Sequence, residues 1–175
     1  ITFATIPFGY VFPAHIFPGS DDPIILNPAA GVDIGLLFVF AISSLGVYGV
    51  VLGGWASNNK YSFLGGLRSS AQLVSYEIPL GLSVIGVLLY SGSLNMETII
   101  AQQAQDGWWW FLLQPLGFGV FLVSGCAESA RLPFDLPECE QELVGGYHTE
   151  YTAMKFGMFA FAEYLHMIVV AFLTV

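Results

Sequence analysis

From Ile34 to Trp55 the chain runs without a single charged side chain. A bilayer's hydrocarbon core is crossed by about 20 apolar helical residues at roughly 1.5 Å each, so a run of this kind dictates its own solvent. Other stretches repeat the pattern. Ala71 to Asn95 carries only Glu77, Gly107 to Ala127 carries no charge before Glu128, and Phe156 to Val175 carries only Glu163. The runs are continuous and do not alternate apolar with polar residues, which favours helices over barrel strands. Charged residues are 10% of the chain, against about 25% in soluble proteins, too few to cover so apolar a surface in water. The expected fold class is an all-α membrane protein, a polytopic transmembrane helix bundle with irregular acidic loops. Residues 1–175 form one integral membrane domain, with helices over 34–55, 71–95, 107–130 and 156–175. Residues 1–9 read as the tail of a further helix ended by Pro7 and Gly9. The chain starts at Ile1 and stops at Val175 inside an apolar run, which reads as an internal stretch of a longer protein.

The basic residues set the orientation. Lys60 and Arg68 fall between the first and second full helices, and Arg131 and Lys155 between the third and fourth. The connections around Asp21–Asp33 and Glu97–Asp106 contain none, so both basic connections are expected on the cytoplasmic or equivalent side. Trp108, Trp109 and Trp110 fit an interfacial aromatic anchor. The stretch through Pro13, Pro18, Pro23 and Pro28 reads as an irregular connector. Thirteen acids against four bases give a net charge of −9, which excludes nucleic acid as a partner. Cys126 and Cys139 make no iron–sulfur or haem spacing.

The acids in or beside the membrane carry the chemistry. An ionised carboxylate at the bilayer centre costs about 2.5–3.5 kcal/mol on insertion scales. Hydrocarbon therefore favours the neutral form, a property suited to reversible proton carriage. Glu77, placed one to two turns into the second helix, and Glu163, two turns into the fourth, are candidates, with Glu128 at the end of the third. As a set they suggest a proton or ion path. A structural reading stands beside it: the helix dipole and snorkelling would accommodate Glu77, and Glu128 would pair with Arg131 three residues on.

Between Arg131 and Lys155 lies the densest feature. Asp135, Glu138, Glu140, Glu142 and Glu150 face only Arg131, Lys155 and His148. Pro133 and Pro137 break the helix before it, and Gly145 and Gly146 keep its later part pliable. Mutual repulsion in such a cluster favours cooperative proton uptake, although a solvated acidic loop would look the same. Glu163 and His166 have the spacing of half a di-iron site, but no second pair exists, so no metal ligands are assigned. Nor does any Ser-His-Asp or Cys-His arrangement emerge, and no residue is assigned as catalytic.

Two motifs together resemble a known family. Gly54-Trp55-Ala56-Ser57-Asn58-Asn59-Lys60-Tyr61-Ser62-Phe63-Leu64-Gly65-Gly66-Leu67-Arg68, followed by Ala71-Gln72 and Ser75-Tyr76-Glu77, resembles the second cytoplasmic loop and following helix of respiratory complex I subunit 1, the H-type subunit of bacterial NADH:quinone oxidoreductase. Ala127-Glu128, Arg131, Pro133 to Glu138, Glu140, Glu142-Leu143-Val144 and Glu150-Tyr151 are similar to that family's acidic third loop. Cys139 departs from it, where alanine is more usual.

The resemblance implies the heel subunit of a proton-pumping membrane arm, a translocase-class enzyme complex in which this chain holds no redox centre. Arg68, Arg131 and Asp135 would lie at the quinone chamber and docking surface. Glu77, Glu128, Glu138, Glu140, Glu142, Glu150 and Glu163 would form the acidic path joining quinone reduction to proton translocation. Quinone (ubiquinone or another) would be the substrate, with NADH, flavin and iron–sulfur clusters held by partner subunits of the redox arm. The implied partners are those subunits, the remaining membrane-arm subunits and the lipid bilayer. The implied membrane is the bacterial plasma membrane, ahead of the mitochondrial inner membrane or thylakoid. The competing reading is the membrane anchor of a related energy-converting hydrogenase or formate-hydrogenlyase-type complex. A plain docking anchor and a stand-alone carrier also compete, and the lack of paired broken helices in symmetric repeats argues against the carrier.

Overall fold

The computed structural model describes residues 5–6, 10–12, 24–25, 32–107, 109–130, 133–134 and 145–174. Among them the helices are α1 (Gly35–Ala56), α2 (Lys60–Ser91), α3 (Met96–Asp106), α4 (Pro115–Glu128) and α5 (Met154–Thr174). Short 3₁₀ turns occupy Trp110–Leu112 and Gly146–His148. The helices α1, α2 and α5 are each long and apolar enough to cross a membrane, and the chain is an integral membrane protein built as a helix bundle. Leu116 and Leu89 are 82% and 81% exposed, as suits the outside of a bundle within a membrane. A small antiparallel ribbon pairs β1 (Tyr10–Phe12), just before the proline-rich stretch expected to be irregular, with β2 (Ile24–Ile25) within it. Its residues favour strands. The helix tail expected over 1–9 falls mostly outside the described residues; Ile6 is buried in one cluster with Leu36, Val39, Met96 and Val169.

Three connections differ from the sequence expectation. Lys60 and Arg68 do not lie in a loop: they belong to α2, whose 32 residues make it about 48 Å long, well beyond a hydrocarbon core of about 30 Å. The turn between α1 and α2 is only Ser57 to Asn59, and the Asn59 side chain caps α2 by accepting the Tyr61 N–H at 3.0 Å. Glu97–Asp106 is helical rather than a plain connection. Asn95 caps it by accepting the Glu97 N–H at 2.9 Å, and Gly107 ends it at φ +67°. The run over 107–130 is broken, with α4 covering only 14 residues, about 21 Å of helix. Pro115 at its first turn excludes the preceding Gln114 from helical geometry (φ −131°, ψ 61°). Trp110 is buried; its indole N–H donates to Asp106 Oδ2 at 3.1 Å and its ring meets Tyr90 edge-on. It is therefore a packing residue, whereas Trp109 is exposed and Trp108 lies outside the described residues.

At the α1–α2 corner the backbones touch. A Cβ on Gly54 would stand 2.9 Å from the Ser62 carbonyl oxygen and 3.3 Å from Gly66 Cα. Small residues permit such close approach where apolar burial offers no drive between helices. The segment before α5 docks on the same corner. Ser62 Oγ donates to the Tyr147 carbonyl at 2.7 Å, and Tyr151 O–H to the Gly53 carbonyl at 2.8 Å. A Cβ on Gly65 would lie 2.7 Å from the Gly146 carbonyl carbon.

Candidate intramembrane acidic site

Deeper in the bundle α1, α2, α4 and α5 leave a cavity of about 510 Å³ between them. Its wall is mostly apolar, with Val39, Leu80, Phe121 and Val169 among its residues, yet it also includes Glu77, Glu128, Glu163 and His166. Each of these four helices other than α1 contributes a carboxylate: Glu77 from α2, Glu128 from the end of α4 and Glu163 from α5. Glu77 sits seventeen positions after Lys60, the first residue of α2, about 25 Å along the helix. The helix-dipole account of Glu77 therefore fails, because that field fades within the first turn.

α1 contributes hydroxyls. Ser43 Oγ donates to Glu128 Oε1 at 2.8 Å, and Ser44 Oγ donates to Glu77 Oε1. Consecutive helical residues point about 100° apart, so this serine pair serves two different neighbours. Glu163 Oε1 accepts the Tyr147 O–H at 2.7 Å. Glu128 is buried, and His166 Nε2 lies 3.3 Å from its Oε1. The pairing of Glu128 with Arg131 is not described, since Arg131 lies outside the described residues; His166 and Ser43 are the partners seen. Sequence reasoning misses Ser43, Ser44 and Tyr147. A signal exists for the first two, because they are the only serines in the charge-free run Ile34–Trp55.

The remaining expected site residues lie elsewhere. Arg68 is on an exposed face of α2, near the corner and away from the cavity lining. Glu150 is exposed and accepts the Asn59 side-chain N–H at 2.6 Å. Arg131, Asp135, Glu138, Glu140 and Glu142 lie outside the described residues. Gln72 on α2 holds the start of that loop, donating to the Ala127 and Phe134 carbonyls at 2.9 Å each, while Phe134 meets Tyr76 edge-on. Among the described residues no three His, Cys, Asp or Glu side chains are grouped to hold a metal ion.

Each of the three glutamates has a hydroxyl donor, and each faces a common space large enough for water. Hydroxyl donors and a space that admits water are what a polar side chain needs to be accommodated within an apolar bundle.

Residues 1–175 match the NADH dehydrogenase family. The chain is 49% identical over 169 residues to the H 1 subunit of NADH-quinone oxidoreductase of Cytophaga hutchinsonii, covering 97% of this chain and 47% of that protein. It is 54% identical over 147 residues to NADH-quinone oxidoreductase subunit 8 of Rhodothermus marinus, covering 82% and 43%. The H 1 subunit of the Geobacter metallireducens NADH-quinone oxidoreductase is 50% identical over 169 residues, covering 97% and 49%. The chain thus spans about half the length of the curated relatives it matches.

Proposed function

Because the chain belongs to the NADH dehydrogenase family, we propose that it is part of the heel subunit of a proton-pumping NADH:quinone oxidoreductase, where its cavity is a segment of the path coupling quinone reduction to proton translocation. The observation that carries this reading is the convergence of Glu77, Glu128 and Glu163 from three helices on one cavity. Quinone is the substrate, and the NADH site, flavin and iron–sulfur clusters are assigned to partner subunits. The complex sits in a bacterial plasma membrane, as the bacterial relatives suggest.

Reduction of a quinone to quinol consumes two protons. In this reading the demand is met first at the loop carboxylates Asp135, Glu138, Glu140, Glu142 and Glu150, with Arg68 and Arg131 near the chamber. Replenishment then draws on Glu128, Glu77 and Glu163, so that charge moves into the membrane arm. The acids act as carriers, and the hydroxyls of Ser43, Ser44 and Tyr147 hold them in place.

The test is proton translocation per quinone reduced in proteoliposomes, using the assembled complex with Glu77→Gln, Glu128→Gln or Glu163→Gln. Each amide keeps the hydrogen-bond acceptor and removes the titration, so assembly persists while translocation falls steeply. Unchanged stoichiometry in all three would overturn the cavity's role. Glu140→Gln with Glu142→Gln asks the same of the loop.

A further inference from the structure

We propose that His166 is a proton-carrying partner of Glu128, the two groups holding one proton in common at the cavity wall. This rests on the reading of the cavity as a proton path and adds a residue to it. His166 Nε2 is buried and makes no directed hydrogen bond among the described residues, although it lies 3.3 Å from Glu128 Oε1. A carboxylate oxygen and an imidazole lone pair repel at that distance unless a proton lies between them. Two arrangements meet the requirement. Either the carboxyl O–H donates to Nε2, or a ring N–H donates to the carboxylate.

Passage from the first to the second breaks one O–H bond and forms one N–H bond, leaving the net charge of the pair unchanged. A small movement of the ring along α5 directs the contact. Among the described residues the other titratable groups facing this space are Glu77 from α2, Glu163 from α5 and Tyr147 from the 3₁₀ turn. Glu77 and Glu163 have hydroxyl donors from Ser44 and Tyr147, whereas Glu128 combines the Ser43 hydroxyl with an imidazole. With Nε2 and Oε1 3.3 Å apart, one proton serves both groups, and the pair acts as a unit.

The experiment uses the full-length chain in its assembled complex. The Glu128 carboxyl band in the infrared is assigned by its loss in Glu128→Gln and followed against pH, and proton translocation is measured in proteoliposomes over the same range. With His166→Gln the Glu128 band titrates at a shifted pH and the pH profile of translocation shifts with it. The double variant is no worse than Glu128→Gln alone. A Glu128 band that titrates unchanged in His166→Gln overturns the inference, as do independent, multiplying losses in the double variant. Should His166→Gln fail to assemble, His166→Asn gives the same readouts. If Glu128→Gln leaves translocation intact while the Glu128 band of the unsubstituted complex shifts on His166→Gln, the path reading fails and the shared proton stands.

Discussion

The α1–α2 corner and the cavity below it share two helices and draw on the same glycines and serines as residue types, and they are opposites. At the corner Gly54, Gly65 and Gly66 bring backbones into contact, and the hydroxyls of Ser57 and Ser62 go to one another and to backbone carbonyls. In the cavity Gly46 and Gly49 of α1 have nothing within 4 Å of a would-be Cβ; the Ser43 hydroxyl goes to a carboxylate, and that of Ser44 is shared between Glu77 and the Phe40 carbonyl. Glycine closes space only where a second backbone is brought to meet it. Serine satisfies backbone at the closed end and reaches carboxylates at the open one. The corner therefore supplies rigidity, and the hollow tolerates the acids.

The largest expected effect breaks the closed end. Gly65→Leu places side-chain atoms where the Gly146 backbone already stands. Overpacking of this kind costs about 1–3 kcal/mol or more, and here neither backbone is free to yield. Loss of assembled complex on native gels is the expected result. Gly46→Ala, the matched change beside the cavity, leaves assembly unchanged. Equal tolerance at both positions would show that the two regions do not differ in rigidity.

Part of this contrast is legible in the sequence. The charge-free run of α1 and the single acids in the later spans point to the bundle and its membrane setting, because hydrocarbon leaves few options for such runs. Glu77, Glu128 and Glu163 stand out as unusual. Their convergence does not, because it depends on where α2 begins: with Lys60 inside the helix, Glu77 moves from the helix end to its middle. Pro115 does mark a helix start, a signal masked by the longer apolar run around it. The spacing of His166 suggests only a metal pair with Glu163, whereas its partner Glu128 lies on another helix, a relation that spacing along one helix does not reveal. Tyr147 reaches Glu163 from a loop sixteen residues away, a distance without any local signature.

A smaller effect sharpens the comparison by swapping hydroxyls. Ser62→Ala removes a buried donor to the Tyr147 carbonyl. Hydrogen bonds between helices in membranes contribute about 0.6 kcal/mol on average and at most about 1.7, so the thermal inactivation midpoint of the purified complex falls modestly. Proton translocation per quinone is unaffected. Ser43→Ala does the reverse: thermal inactivation barely changes, because the cavity offers water as a replacement donor to Glu128, while the pH profile of translocation shifts. Identical outcomes for the two serines would mean that corner and cavity are one mechanical unit.

The smallest effect is expected at Glu150, which belongs to the corner by contact and to the proposed path by charge. It is exposed and tied to the corner through Asn59, and the proposed path counts it among the loop carboxylates. Glu150→Gln keeps an oxygen able to accept the Asn59 N–H, so assembly and thermal inactivation stay as they are. Its carboxylate is one of several that the proposed path draws from this stretch, with Glu138, Glu140 and Glu142 in the same run of sequence. Initial rates of proton translocation should fall by less than in Glu128→Gln. An equal or larger fall would place the narrow point of the path at the corner, and the hollow would then be a reservoir beside the route.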